Sequence, residues 1–377
     1  MTTDVKMFSS EHGKSRKNFI SRFFDFIGTD NLSLMIALFL LILFVTVFSS
    51  WVGLSGGNRF FTWQNLMNSL AQAIVIVGLL ALGETVVALA GAMDISVGSI
   101  ASCGSVVSTS VLVGTGAIGS LGIFPQNSTF WAIVAGVLIG MIAGFINGFI
   151  VTKLHVNATV ATLGTMAAFA GAAFLLAPDG KPIGVVTQQS FTWLAQGRLW
   201  QDSAIPAMNG SKWTGIPVLT VILVVVAIIM HVLMRYTTFG RNVYAIGGNA
   251  TAARLAGINI TSMRIRMFMI SGAISGLAGV LLASRTTSGN PINGQGLEMQ
   301  AITAVYLGGA STNGGKGTIF GTIMAVLIVG VLNNGMNLLG FNTFVQKVAL
   351  GMLLVAAVAI SQYRIIQSEK ARKKVEK

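Results

Sequence analysis

The stretch RYTTFGRNVYAIGGNATAARLAGINITSMRIR, residues 235–266, decides how this chain is organised. It carries Arg235, Arg241, Arg254, Arg264 and Arg266 and no acidic residue. Apolar runs flank it at 216–234 and 267–283, each close to the ~20 residues that a helix needs to cross a bilayer. A short loop this rich in arginine, held between two spans, stays on the cytoplasmic side. Within it Asn249 has the side chain of an N-cap for a short helix predicted over Ala250–Leu255, and Gly257 stands where such a helix stops. No proline interrupts the stretch. A helix displayed to the cytoplasm between two spans is a docking surface.

Composition agrees with a membrane protein. Of 377 residues, 53% are hydrophobic and 9% charged, against the ~25% charged residues of soluble domains. Backbone groups in lipid need internal partners, so apolar runs of this length imply helices rather than open sheet. The 45 glycines suit helices that approach closely. A formal net charge of +13 fits loops and tails beside anionic lipid, and no nucleic-acid partner is expected. Cys103, the single cysteine, excludes an intrachain disulfide. His12, His155 and His231 show no metal-ligand spacing, so no metal site is expected.

The fold expected is an all-α polytopic membrane protein of eight to ten transmembrane helices, with about ten the favoured count and both termini cytoplasmic. Spans are predicted at 32–48, 70–90, 100–113, 131–151, 156–177, 216–234, 267–283, 297–309, 319–332 and 345–360. Residues 1–30 read as a basic cytoplasmic tail, 31–362 as the transmembrane domain, and 363–377 as a second basic cytoplasmic tail. No small-x-small cleavage site closes the first apolar run, so it reads as a span and not a signal peptide. Phe145-Ile146-Asn147-Gly148 and Leu332-Asn333-Asn334-Gly335 share a pattern, and similar Gly-containing segments follow both at the same offset. In the predicted topology the two copies run in opposite directions. They would form an inverted internal repeat with the solute path at its interface; chance matching between Gly/Ala-rich helices is the competing explanation.

Three stretches carry a family resemblance: FGRNVYAIGGN at 239–249 followed by AARLAGI at 252–258, GAMDISVGS at 91–99, and AVYLGGA at 304–310 leading to GGKG at 314–317. In order and spacing they resemble the permease subunits of ribose/xylose/arabinose-type ABC importers, over roughly residues 65–359. The resemblance implies that 235–266 is a coupling loop. Gly247, Gly248, Asn249, Ala252, Ala253, Arg254, Leu255 and Gly257 would meet a separate ABC ATPase subunit, which uses the ATP. It further implies a second permease protomer, identical or a paralogue, and a periplasmic or lipid-anchored sugar-binding protein. The expected activity is translocation of a sugar, a pentose such as ribose or a related solute, across the bacterial inner membrane. No cofactor and no catalytic residue is expected in this chain.

Candidate pathway residues follow from the cost of polar groups at membrane depth. Glu84 sits in the second span, where lining a path and structural packing weigh equally. Asp94 is expected to cap the helix that begins at Ser96. Glu298 is placed at the outer end of the eighth span. Asn147, Asn157, Asn333 and Asn334 have the chemistry to bind a polyol, although bonding between helices is the commoner role for such residues. The alternative function, an ion- or proton-coupled secondary transporter, needs several titratable groups within the membrane, and Glu84 is nearly alone. A membrane-bound enzyme lacks a nucleophile–base constellation. Gly314-Gly315-Lys316-Gly317-Thr318 is not a P-loop: Ala310 stands where the first glycine should be, and Gly317 follows the lysine.

Overall fold

The computed structural model describes residues 29–51, 59–184 and 186–375. The tail expected over residues 1–30 lies, except for its last residues, outside the described residues. The helices are α1 (Thr29–Trp51), α2 (Ala71–Leu89, entered through a π-turn at Gln64–Leu70), α3 (Val97–Val113), α4 (Gly116–Gly119), α5 (Thr129–Lys153), α6 (Ala158–Leu176), α7 (Gln189–Gln196), α8 (Val218–Tyr236), α9 (Thr238–Gly248), α10 (Ala250–Leu255), α11 (Ile260–Thr286), α12 (Leu297–Leu307), α13 (Ile319–Leu338) and α14 (Thr343–Val375). The only sheet among the described residues is a two-residue antiparallel pair, β1 (Arg198–Leu199) with β2 (Ile216–Pro217), inside the long loop before α8. Helix α14 continues unbroken to Val375, through the segment expected to be a tail.

Side-chain caps start several helices where the sequence offers them. Asn157 accepts from the Thr159 N–H at 2.9 Å to open α6. Asn259 does the same for α11 through Ser262, and Thr318 for α13 through Gly321. Each supplies an acceptor to an N–H that the helix cannot satisfy itself.

Nine helices among the described residues are long and apolar enough to span a membrane. The tenth predicted span differs. Helix α12 has 11 residues, about 16 Å at 1.5 Å per residue, roughly half a bilayer core. Its other half is the irregular segment 287–296, which runs down α3. The Gly294 N–H donates to Ser102 Oγ at 3.0 Å, and Asn293 Nδ2 reaches Ser105 Oγ at 3.4 Å. Nearer the other end of α3, a Cβ at Gly289 would overlap Thr109. Non-helical backbone is tolerated at membrane depth only where protein buries it, and α3 does so, with Ser102 and Ser105 bonding to the segment. Ser99, Ser102, Ser105, Ser108, Thr109 and Ser110 are all buried.

The core lies where α2, α3, α5 and α11 cross. Glycines recur every fourth residue on α5 at Gly136, Gly140, Gly144 and Gly148, and α11 answers with Gly272 and Gly276. A Cβ on Gly140 would overlap the Gly272 carbonyl oxygen, and one on Gly144 the Phe268 carbonyl oxygen. The backbones therefore touch, the close approach that small residues permit in lipid. Helices α1, α6 and α14 sit outside this core with broad apolar faces uncovered, Leu175, Phe344 and Val355 among them. The two repeat copies lie on α5 and α13. Their asparagines take different partners: Asn147 bonds with Asp94 and Ser96, Asn334 with Asn65.

Candidate functional site

Two neighbouring features make up the candidate site: the arginine-rich surface and a buried polar cluster just behind it. The surface is built from short, well-capped pieces. Thr237 caps α9 by accepting from the Gly240 N–H. Asn249 then closes α9, its N–H donating to Ala245 O at 3.0 Å, and opens α10, its Oδ1 accepting from the Ala252 N–H at 3.0 Å. Gly257 follows with φ +84, the left-handed stop expected from the sequence. The helix expected over Ala250–Leu255 is present with those bounds. Helix α9 was not anticipated, although Thr237 and the apolar Val243 and Ile246, which enter the core, are its signals.

The predicted coupling residues divide between two faces. Ala253 is 4% exposed and belongs to the core of this chain, and Gly247 is wedged so that a Cβ would overlap the Leu89 carbonyl oxygen. Neither is free to meet a partner. At about 100° per residue, Ala253 on the inner side of α10 leaves Ala252, Arg254 and Leu255 facing out. Leu255 is 86% exposed. Gly248 and Gly257 border open space.

This surface is fixed to the end of α2. The Gly315 N–H donates to Leu89 O at 2.8 Å, in the same contact as Gly247. Tyr244 Oη donates to Gly317 O at 3.0 Å. Burial pushes the Tyr244 phenol above its ordinary range while the charge of Arg235 pulls it down, so it remains a donor. The glycine-rich segment rejected as a P-loop is thus a packing element that ties α9 to α2.

Five residues along α2 from Leu89, Glu84 points into the polar cluster. Glu84, Asp94 and Asn147 are each 0% exposed. Both Glu84 carboxylate oxygens accept from the Asp94 N–H, at 3.0 and 3.1 Å. Asp94 Oδ1 accepts from the Ser96 N–H at 3.0 Å and from Ser96 Oγ at 2.6 Å, closing the turn that starts α3. Asn147 Nδ2, on α5, donates to Ser96 Oγ at 2.8 Å and to Asp94 Oδ1 at 3.3 Å. Three of the predicted residues therefore meet, Asn147 lying 53 positions beyond Asp94 in the chain.

The other four do not join them. Glu298 starts α12 inside the bundle and not at the outer end of a full span, because the irregular segment carries the chain inward before the helix begins. Its carboxylate accepts from the Gly296 N–H and fits against α3 where Gly98 has no side chain. Asn333 Nδ2 reaches Gln300 Oε1 on α12 at 3.4 Å. Asn334 and Asn65 exchange two amide bonds at 2.8 and 3.0 Å, clamping α13 to the π-turn before α2. Asn157 is exposed at the cap of α6. Below the cluster a cavity of about 430 Å³ is lined by Gly91–Met93, His155–Thr159, Arg264, Tyr306 and Thr312 among others.

Nine apolar helices of span length among the described residues, a short helix entered through a buried irregular segment, and an arginine-rich surface between two of the long helices are the features of a transport permease. The chain belongs to the family described as the permease component of branched-chain amino acid transport systems, whose model matches residues 65–358. Among similar proteins is the ribose import permease protein RbsC of Bacillus subtilis (strain 168), 37% identical over 328 residues, 87% of this chain and 91% of the relative. The L-arabinose transport system permease protein AraH of Escherichia coli (strain K12) is 36% identical over 306 residues, 81% and 85% of the two chains. The D-allose transport system permease protein AlsC of the same strain is 33% identical over 361 residues, 96% and 98%. No solved structure matches. The protein is a multi-pass membrane permease of the family to which these sugar transport permeases belong.

Proposed function

We propose that this chain passes a pentose, or a hexose of similar size, between two protomers of the permease, and that α9–α10 receives the push of the ATPase subunit. Relatives named for ribose, arabinose and allose support the substrate class. A sugar-binding protein outside the membrane selects the solute and docks at the end of the bundle opposite the arginines. The ATPase holds the ATP, and this chain supplies no cofactor and no reaction. Two-fold pairing would cover part of the apolar surface that α6 and α14 leave open, with lipid over the rest.

The observation that carries the coupling role is the continuity of the α9–α10 unit with α2. Leu255 and Arg254 face outward, while Gly247 on the other side of the same small unit abuts the Leu89 carbonyl, to which Gly315 of the neighbouring loop also bonds. A push on α10 has no slack to absorb it. It moves the end of α2, and with it the turn 90–96 that starts α3. Glu298, Gln300 and Asn333, around the broken crossing, are the polar groups placed to meet a sugar on its way, since discontinuous helices gather at transport sites.

The test is reconstitution with the ATPase and the loaded binding protein. The double variant R254E, L255E is expected to insert and pair normally and to lose at least tenfold of the binding-protein-stimulated ATP hydrolysis. Stimulation equal to wild type would refute the docking assignment.

A further inference from the structure

The polar cluster contains two atoms with nothing to bond. Asp94 Oδ2 and Asn147 Oδ1 are both fully buried acceptors without a partner, on side chains that are 0% exposed. They belong to groups that already touch, because Asn147 Nδ2 donates to Asp94 Oδ1. Each orphaned oxygen is one covalent angle away from that contact. A carboxyl and a primary amide meeting this way make a two-bond ring when the acid carries its proton: the amide N–H to one carboxyl oxygen, the carboxyl O–H to the amide oxygen. An ionised carboxylate makes the first bond only and leaves two buried acceptors orphaned, each carrying its full desolvation penalty.

We infer that Asp94 is a resident proton site: a single proton on Oδ2, donated to Asn147 Oδ1, closes an acid–amide clasp between the turn 90–96 and α5. One proton satisfies both orphaned atoms at once. The alternative orientation of the Asn147 amide is the less favourable one, because it sets two acceptor oxygens against each other at the Asp94 Oδ1 contact. It would turn the amide oxygen toward Asp94 Oδ1 and toward Ser96 Oγ, whose own hydrogen already goes to Asp94.

The charges around the clasp favour the same answer. Glu84 is the nearest ionisable group on α2, and Tyr306 of α12 stands close enough to Glu84 to feel its charge. The hydrogen bonds that the two carboxylates accept come from uncharged groups: the Asp94 and Ser96 N–H, Ser96 Oγ and Asn147 Nδ2. Two buried carboxylates ionised side by side without a cation would be far more costly than one. Both Glu84 oxygens are occupied as acceptors of the Asp94 N–H, so no orphaned atom marks Glu84 as the proton's holder.

The clasp has a position that matters. Gly91, Ala92 and Met93, the residues leading into Asp94, form one wall of the cavity below the cluster, and Tyr306 lines it too. The turn 90–96 is therefore the lid between the cavity and the clasp, and it is joined to the docking surface through Leu89.

The test is infrared difference spectroscopy of the purified full-length permease in lipid at neutral pH, with and without carboxyl-13C-aspartate. The expected result is a carbonyl band of a protonated carboxyl group that shifts with labelled aspartate and is lost in Asp94→Asn, a variant that keeps a donor in place of the O–H and accumulates like wild type. Asn147→Ala, which removes the acceptor, is expected to move that band. If Asp94→Asn fails to accumulate, the label identifies the band as one of the six aspartates, and its movement in Asn147→Ala places it at Asp94. Absence of the band, its shift with labelled glutamate instead, or its persistence in Asp94→Asn overturns the inference. None of these readouts depends on transport, so the sugar-permease reading stands or falls separately.

Discussion

The glycine seam between α5 and α11 makes a prediction whose size follows from the coordinates. In Gly140→Ala the new Cβ would overlap the Gly272 carbonyl oxygen and stand 2.8 Å from Gly276 N and Cα. Carbon contacts settle at about 3.5–4.0 Å, so the helices must part by roughly 0.7–1.2 Å. A gap of that size forfeits about a quarter to a half of the attraction at each lost contact. The loss spreads along the seam to Gly136 and Gly144, which meet the same helix. Overpacking of this kind typically costs about 1–3 kcal/mol, or roughly 5- to 140-fold in the folded-to-unfolded ratio. The assay is unfolding of the purified permease in mixed micelles by SDS titration, followed by tryptophan fluorescence. Gly164→Ala is the matched control, because Gly164 lies mid-helix on α6 with nothing within 4 Å of its added Cβ. Its stability is expected to equal wild type or rise by up to about 1 kcal/mol, since alanine is the better helix former. If Gly140→Ala unfolds at the same SDS fraction as Gly164→Ala, backbone contact is not what holds these helices.

Three further outcomes are expected. Asn65→Leu strands the amide of Asn334 and should destabilise by about 1–3 kcal/mol, while adding Asn334→Leu should recover part of the loss, read in the same titration; an additive double variant would show the pair to be uncoupled. Ala253→Trp forces an indole into the interior under α10, so expression and thermal stability should fall along with coupling. Full stability with coupling alone lost would place Ala253 at the partner interface after all. A cysteine at Ser262, with Cys103 replaced by Ala, should react with an impermeant maleimide in inverted vesicles and not in intact cells; the opposite pattern would reverse the topology.

The helices were legible because lipid leaves the chain few alternatives: apolar runs of span length had to be helical, and the charges ordered their ends. Cap residues placed α10 to the residue. The sequence was less informative wherever a span is not a continuous helix. Residues 297–309 are apolar enough to pass for a span, but nothing local reveals that the preceding segment goes down into the bundle on hydroxyls supplied by α3, nearly two hundred residues earlier. The same limit applies to the site. Glu84, Asp94 and Asn147 were each costly enough to be noticed singly, and only the packing of α2 and α5 around the turn shows that they are one cluster. The inward turn of Ala253 and Gly247 was hidden for a related reason: small residues suit a partner's groove and a protein's own interior equally well.

The serines of α3 have a cost during synthesis. This helix is the least apolar of the nine long ones and the most deeply enclosed, and its hydroxyl face is complete only when the segment 287–296 lies upon it. A helix of that kind gains little from lipid by itself as it leaves the ribosome. Its partner segment 287–296 is made only after about 170 further residues have followed it, so its stable insertion is expected to depend on helices made later. The order of assembly is thereby written into the bundle: the helix that carries the broken crossing is the one whose own place in the membrane is settled late.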